Sequence, residues 1–422
     1  MDKEVLDYSA VFVPGGFPLH TYNPRDSLNL ETKLADSTKN LCKLIVVTGQ
    51  TKSGKTVLTR KILPRDKAIW IDAGSVSHED EFWQIILESL DLAQEHQIQV
   101  TKGTTKTLGT EGKVESGLIV AKASGQLSFD WSRQHGDNYS SSRHLSSRIA
   151  SLKGLKEKNA PLVIDDFHYL PKEMQGTLIR ALKPLIFDGL TVIIIAIPHR
   201  RYEAMKVERE MTGRIMPIDI PIWKEDELQF IPQTGFSLLG YNISPEHTKY
   251  LAEESIGSPH LMQDFCRGIC KAINLRHSSE RQELTLSKTE IDSSLKEVSK
   301  SIGRPIFEKL SHGPRQRTDR IQRELVGGQK VDIYELVLKA LANLKPGLIS
   351  LEYEDIRSSI REIAPKPSPQ LHEVARVLKH MSTIASSDLS STPVIDFDED
   401  EKKLHITDPF FAFYLRWGDL NT

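Results

Sequence analysis

The first half of the chain carries its apolar residues in short unbroken runs, and the second half carries them at helical spacing. Residues 44–47 are a β-branched run, and similar runs follow at 67–72 ("KAIWID"), 162–164 ("LVI"), 190–197 ("LTVIIIAI") and 216–223 ("MPIDIPIW"). Runs of this length suit strands buried on both faces. Between them the spacing turns to helix: 56–63, which Pro64 stops, about 79–92, and "PKEMQGTLIRALKPLIFDG". The second of these places Phe82, Trp83, Ile85, Ile86 and Leu90 on one side, with Ser77 followed by Asp80 as its N-cap. Strands alternating with helices predict an α/β unit, a parallel sheet covered on both faces.

After Trp223 the pattern is helical at about 224–239, 244–255 and 259–273, a small helical lid. Residues 304–329 read as a connector bearing Gly and Arg. Amphipathic helices are then expected at 332–344, 353–363 and 369–385, the last with Leu371, Val374, Leu378 and Met381 on one face. "PVIDFDEDEKKLHITD" can fold as two strands around an acidic tip, and three helices with a hairpin make a winged helix. The expected units are a core at 1–223, a lid at 224–303, a basic connector at 304–330 and a winged helix at 331–422. One stretch interrupts the core: 96–147 is rich in Gly, Ser, Thr and Lys and reads as an inserted hairpin, either a surface excursion or a contact for a partner or a second copy.

The first strand run leads into "GQTKSGKT", which changes the picture from architecture to chemistry. Gly49, four residues, Gly54, Lys55 and Thr56 have the order of a phosphate-binding loop. Glycines let the backbone curl until its N–H groups face phosphates, Lys55 reaches the terminal phosphates and the Thr56 hydroxyl ligates Mg²⁺. The capturing stretch is Gly49, Gln50, Thr51, Lys52, Ser53, Gly54, Lys55, Thr56 and Val57, with the helix N-terminus behind it. "PLVIDDFHYL" supplies the second half of such a site, a strand ending in Asp165 and Asp166. Asp165 is the expected metal-side ligand, because Mg²⁺ takes oxygen ligands and keeps several waters. Asp166 stands at the water-activating position.

Composition narrows the setting. The 422 residues are 39% hydrophobic and 27% charged, the mark of a globular protein large enough for two or three domains. No run approaches the length of a membrane span, and the first residues lack the basic-then-apolar plan of a secretory signal, so a cytoplasmic setting without membrane contact is expected. Cys42, Cys266 and Cys270 offer neither a disulfide framework nor a zinc spacing. A net charge of −2 gives no general attraction to nucleic acid, so DNA binding would need a local patch.

The loop, the acidic strand and the strand between them resemble the AAA+ and STAND ATPases. "TYNPRDSL" is similar to the segment those families place before the first strand, which implies that Tyr22 and Arg25 approach the nucleotide. "VIDDFHYL" resembles the STAND form of the acidic strand, and "GSPHLMQDFC" resembles the Gly-x-Pro lid motif, which implies nucleotide contact by Pro259 and His260. "HITDPFFAFYLRW" is similar to the end of a mainly archaeal ATPase family with a C-terminal winged helix. The resemblance implies ATP and Mg²⁺ as cofactors and a phosphate-sensing arginine at Arg200 or Arg201. It also implies an arginine finger at Arg214, with Arg209 as the alternative, delivered across a subunit boundary by self-association. These families usually place glutamate where this chain has Asp166, and many place arginine where it has His260; both departures imply slow turnover. The expected function is a nucleotide-dependent switch or assembly scaffold controlling a protein effector, in the manner of STAND proteins of bacterial antiphage defence. The alternative is a DNA-handling ATPase of initiator or transposition type, using Arg304, Arg315, Arg317, Arg320 and Arg323 together with His372, Arg376, Lys379 and His380. Against that stands the acidic wing tip of Asp396, Asp398, Glu399, Asp400 and Glu401. A structural P-loop protein that its nucleotide merely stabilises is the third reading.

Overall fold

The structure is a computed structural model that describes residues 5–39, 41–92, 146–197, 211, 213–278, 282–314, 320–348, 350–365, 368–386 and 393–420. The predicted hairpin at 96–147 lies almost wholly outside the described residues, as do Arg200, Arg201, Arg209, Arg315 and Arg317.

Five strands form one parallel sheet: β1 (Leu44–Gly49), β2 (Ile69–Asp72), β3 (Leu162–Asp165), β4 (Val192–Ala196) and β5 (Ile215–Ile220), in the spatial order β2-β3-β4-β1-β5. Alternate residues of each apolar run face opposite layers. Leu44, Val46, Leu162, Ile164, Val192 and Ile194 pack against helices α3 (Glu79–Ser89), α4 (Ser147–Lys158) and α5 (Lys172–Phe187), through Phe82, Trp83, Leu155, Leu178 and Leu182. Ile45, Val47, Val163, Ile193 and Ile195 face the other layer, where α1 (Leu30–Ser37) and α2 (Lys55–Ile62) contribute Leu30, Leu34 and Leu58. Burial on both faces explains why β1, β3 and β4 read as unbroken apolar runs, whereas β5, at the sheet edge, leaves Pro217 and Asp219 exposed.

The start of α3 differs from expectation. His78, not Ser77, is the N-cap and supplies no side-chain bond; the Ser77 amide instead donates to Glu81 Oε2 at 2.8 Å, and Glu79, Asp80 and Glu81 meet the positive end of the helix.

Beyond β5 come α6 (Glu225–Leu238), α7 (Pro245–Glu254), α8 (Pro259–Ala272) and α9 (Lys288–Ser301), the last unforeseen although Ser287 and Glu290 form a capping box at its start. The connector is more ordered than expected: α10 (Arg304–His312) opens it, and Arg323–Glu324 pairs antiparallel with Lys330–Val331. Then follow α11 (Ile333–Asn343), β6 (Ser350–Glu352), α12 (Tyr353–Ile363), α13 (Leu371–Ser386), β7 (Ile395–Asp398), β8 (Lys403–Ile406) and α14 (Pro409–Trp417), with the three strands ordered β6-β8-β7. A single buried apolar cluster runs from Leu228 in α6 to Leu415 in α14 and takes in Val11 and Phe12 near the N-terminus. Phe265 of α8 meets Phe413 of α14 at 4.8 Å between ring centroids, and Glu254 of α7 accepts from the Trp417 indole at 2.7 Å.

Candidate nucleotide-binding site

In a parallel sheet the strand ends that face one way gather their loops at one edge. Here that edge carries the loop after β1 and the two aspartates after β3. Gly49 closes β1; a Cβ there would lie 2.8 Å from both the Ile220 carbonyl oxygen and Ser53 Oγ, so the curl has room only for glycine. Lys52 and Gly54 take left-handed conformations, with φ of 62° and 92°. The turn delivers the chain into α2 at Lys55, so the first amides of that helix stand at the site.

Lys55 is 7% exposed, and its Nζ donates to the carbonyls of Gly49 at 3.0 Å and Gln50 at 2.8 Å. Burial pushes its pKa down to about 8, against the pull of the Asp166 and Asp165 carboxylates. Across the cleft, Thr56 Oγ1 donates to Asp165 Oδ1 at 3.2 Å, and the Asp166 amide donates to the same oxygen at 3.0 Å. Burial, and after it the neighbouring Asp166 charge, pushes Asp165 up to about 6. Burial also raises Asp166, with Lys55 opposing. Two buried loop oxygens, Gln50 Oε1 and Ser53 Oγ, have no hydrogen-bond partner among the described residues.

These groups fit a magnesium polyphosphate. A buried ammonium and the unpartnered Ser53 hydroxyl, which can donate to a phosphate, lie on the loop side, and a hydroxyl and carboxylates, which are hard oxygen ligands, lie across from them. Among the described residues no cluster of three or more His, Cys, Asp or Glu side chains could hold a metal by itself, so a cation between Thr56 and Asp165 would take its other ligands from water and phosphate.

A cavity of about 370 Å³ is lined by Thr51 through Val57 together with Tyr22, Arg25, Asp166, Pro259 and His260. Tyr22 stacks on Phe17 with centroids 6.1 Å apart, and the Lys61 ammonium lies 5.5 Å over its ring. Arg25 is at the wall, but its charge is already committed: Nε and Nη2 form a two-point pair with Glu227 at 2.9 and 2.7 Å, and Nη1 and Nη2 donate to the carbonyls of Pro221 and Ile222. His260 lies 3.5 Å from Asp264 and edge-on to Phe410 at 4.9 Å, and burial pushes its pKa down to about 4, so it stands neutral. The Lys52 ammonium lies 5.5 Å over the same Phe410 ring. Arg214 is not brought to the cavity of its own chain. It precedes β5 at the opposite end of the sheet, exposed, with its guanidinium 3.9 Å over Phe187 and its carbonyl accepting from Leu44.

Many lining residues escaped the sequence reading, among them the stretch from Gly15 to Pro18, Trp223, Gln263, His168 and Tyr169. Trp223 sat inside the fifth apolar run and read as strand, yet β5 ends at Ile220 and Trp223 turns back to the loop, its Nε1 donating to the Ser53 carbonyl at 2.8 Å. Pro221, which interrupts strand pairing, was the available signal. His168 and Tyr169 follow directly on the acidic strand, where a short helical turn swings them inward.

No protein-family model matches the sequence, and no curated protein matches it. Solved structures do. The Walker-type ATPase of Pyrococcus abyssi is 16% identical, with 94% of this chain and 99% of that chain covered and a TM-score of 0.51. Cdc6p from Pyrobaculum aerophilum is 14% identical over 97% of both chains at a TM-score of 0.43. The ADP form of the Aeropyrum pernix ORC2 protein is 13% identical, covering 94% of this chain and 93% of that chain, at 0.48. Taken with the parallel sheet and the loop that leaves β1, the likeness to the Pyrococcus protein shows that this chain has the fold of that Walker-type ATPase, a P-loop core with a parallel sheet.

Proposed function

We propose that the chain binds Mg-ATP at this cavity and hydrolyses it slowly, as a switch that sets its association with a partner or with further copies of itself. One observation carries the reading. Lys55 and Asp165 are both held where burial disfavours their charged forms, with pKa values displaced in opposite directions. A polyphosphate beside Lys55 and a cation beside Asp165 relieve both penalties together. When bound, the magnesium ion supplies neutralisation of phosphate charge. Thr56 and Asp165 hold its side of the site, Lys55 holds the terminal phosphates, and Asp166 orients the attacking water from a carboxylate one methylene shorter than glutamate.

The loss of reach at Asp166 favours a switch over a motor. Arg214 is exposed at the far end of the sheet, away from its own cavity, and this supports the reading that it acts on a second copy through self-association. We further propose that residues 331–422 act as a winged helix that contacts protein. Among the described basic residues that would suit DNA, four are paired within the chain: Arg304 with Glu308, Arg320 with Asp332, Arg323 with Glu373, and Lys379 with Glu399. Bacterial antiphage defence, the setting implied by the STAND resemblance, is the physiological context we propose for the switch.

Particle mass by light scattering with ADP, ATP and a slowly hydrolysed analogue, with and without DNA, tests the proposal. A mass increase with ATP and the analogue alone is expected. The Lys55→Ala protein should lose ATP affinity by at least about tenfold, since charge-assisted bonds contribute about 1.5–3 kcal/mol. Asp166→Asn should bind ATP and not turn it over. Salt-sensitive, DNA-dependent assembly would favour the loader reading instead, and unchanged ATP affinity in Lys55→Ala would remove the site.

A further inference from the structure

Trp223 and Arg25 form a linkage that the phosphate-binding chemistry does not require. The Trp223 indole N–H donates to the Ser53 carbonyl at 2.8 Å, and the Arg25 guanidinium lies 4.7 Å over the centroid of the indole. Arg25 in turn holds the junction between sheet and helices. Its two-point pair fixes Glu227 in the first turn of α6, and its remaining bonds take the carbonyls of Pro221 and Ile222, in the four residues that separate β5 from α6. Asn23, two residues earlier, donates to the Glu227 carbonyl at 2.9 Å. Arg25 is 5% exposed, so these bonds are shielded from water.

The peptide plane explains what this linkage does. In a trans peptide the carbonyl of one residue and the N–H of the next point in opposite directions. Trp223 grips the Ser53 carbonyl, so it also aims the Gly54 N–H, one of the amides a phosphate-binding loop turns toward its ligand. When phosphate oxygens draw Lys55 from the carbonyls of Gly49 and Gln50, the loop peptides must readjust, and the Ser53 carbonyl is the one tied to the junction.

We propose that Trp223 is a positioning residue that couples the phosphate loop to the junction at 221–224, so that filling the loop fixes the angle of α6 and the helices that follow. Resting as it does on the reading of the cavity as an ATP site, the proposal has a reciprocal consequence: whatever sets the junction also sets ATP affinity by the same factor.

Hydrogen exchange on the full chain at saturating Mg-ATP tests it, each variant compared with its own ATP-free state. In the wild type, ATP should slow exchange both in the loop, 50–60, and in the junction and first turns of α6, 222–231. Trp223→Phe keeps the ring and removes the N–H. Glu227→Gln lies outside the cavity and reduces the far end of the link from a charged two-point pair to one neutral acceptor. Glu227→Gln should keep loop protection, Trp223→Phe should bind ATP more weakly and is read at saturation, and both should lose about fivefold or more of the ATP-dependent protection at the junction, the worth of one hydrogen bond. Junction protection that survives in both variants overturns the coupling, as does a wild type protected only in the loop. A wild type protected in neither segment overturns the ATP site itself, and the coupling with it.

Discussion

Asp165 illustrates how burial and function pull against each other at a single residue. Its carboxyl titrates at about 6, raised first by burial and then by Asp166, whereas an unfolded aspartate titrates near ~3.9. Between those values the folded chain holds more protons than the unfolded one. This contribution to stability is therefore fully present below about pH 4 and is lost as pH rises through about 6. Asp165→Asn should flatten the pH 4–6 part of the ligand-free stability profile. It should also raise stability at pH 7 by on the order of 1 kcal/mol, a figure reduced for the partial exposure of the group, measured by urea unfolding at pH 5 and pH 7. The same variant should lose the stabilisation that Mg-ATP adds. At this scale the sequence singled out Lys55, Thr56 and the aspartate pair, and the fold brings these residues close together. At Arg25 the sequence did not reveal the partner: the residue lines the cavity, and its guanidinium is paired with Glu227, far away along the chain.

For the elements, the contacts of α6 decide the outcome of a test that propensity alone would get backwards. Replacing Gly235 by alanine would raise helix propensity by about 1 kcal/mol. Yet a Cβ there would come within 2.2 Å of Phe12 Cε1, and Phe12 is fully buried with its ring 5.1 Å from Phe236. Overpacking of this kind costs about 1–3 kcal/mol. Gly235→Ala should therefore be destabilising, and a raised midpoint of chemical unfolding would contradict the packing shown here. The central strands β1, β3 and β4 were legible because both their faces are covered, which writes burial into unbroken apolar runs. Helix α9 was not, since a mostly polar exposed face hid its buried stripe of Ile291 and Leu295. The third strand of the small sheet, β6, was missed as well; three residues with one buried leucine leave almost no pattern to read.

Across the whole molecule, the helices after β5 and the C-terminal stretch share one apolar cluster, although the sequence divides them at a connector. Phe413 is fully buried and meets Phe265 across that division. Phe413→Ala should cost about 3–5 kcal/mol and lower the amide protection of α7, α8 and α11 together, as hydrogen exchange would register. Loss confined to the C-terminal helices would mean that the two stretches unfold independently. The sequence by itself determined the alternation of strand and helix, the phosphate loop and the acidic strand end, because periodicity and residue chemistry are local properties written over a few adjacent positions. Only the tertiary structure decided that Arg25 faces Glu227, that Trp223 returns to the loop, that Arg214 stands at the far end of the sheet and that Phe410 lies between Lys52 and His260. Each of those pairings joins residues distant along the chain, and the partner is selected by packing geometry, which no local pattern encodes.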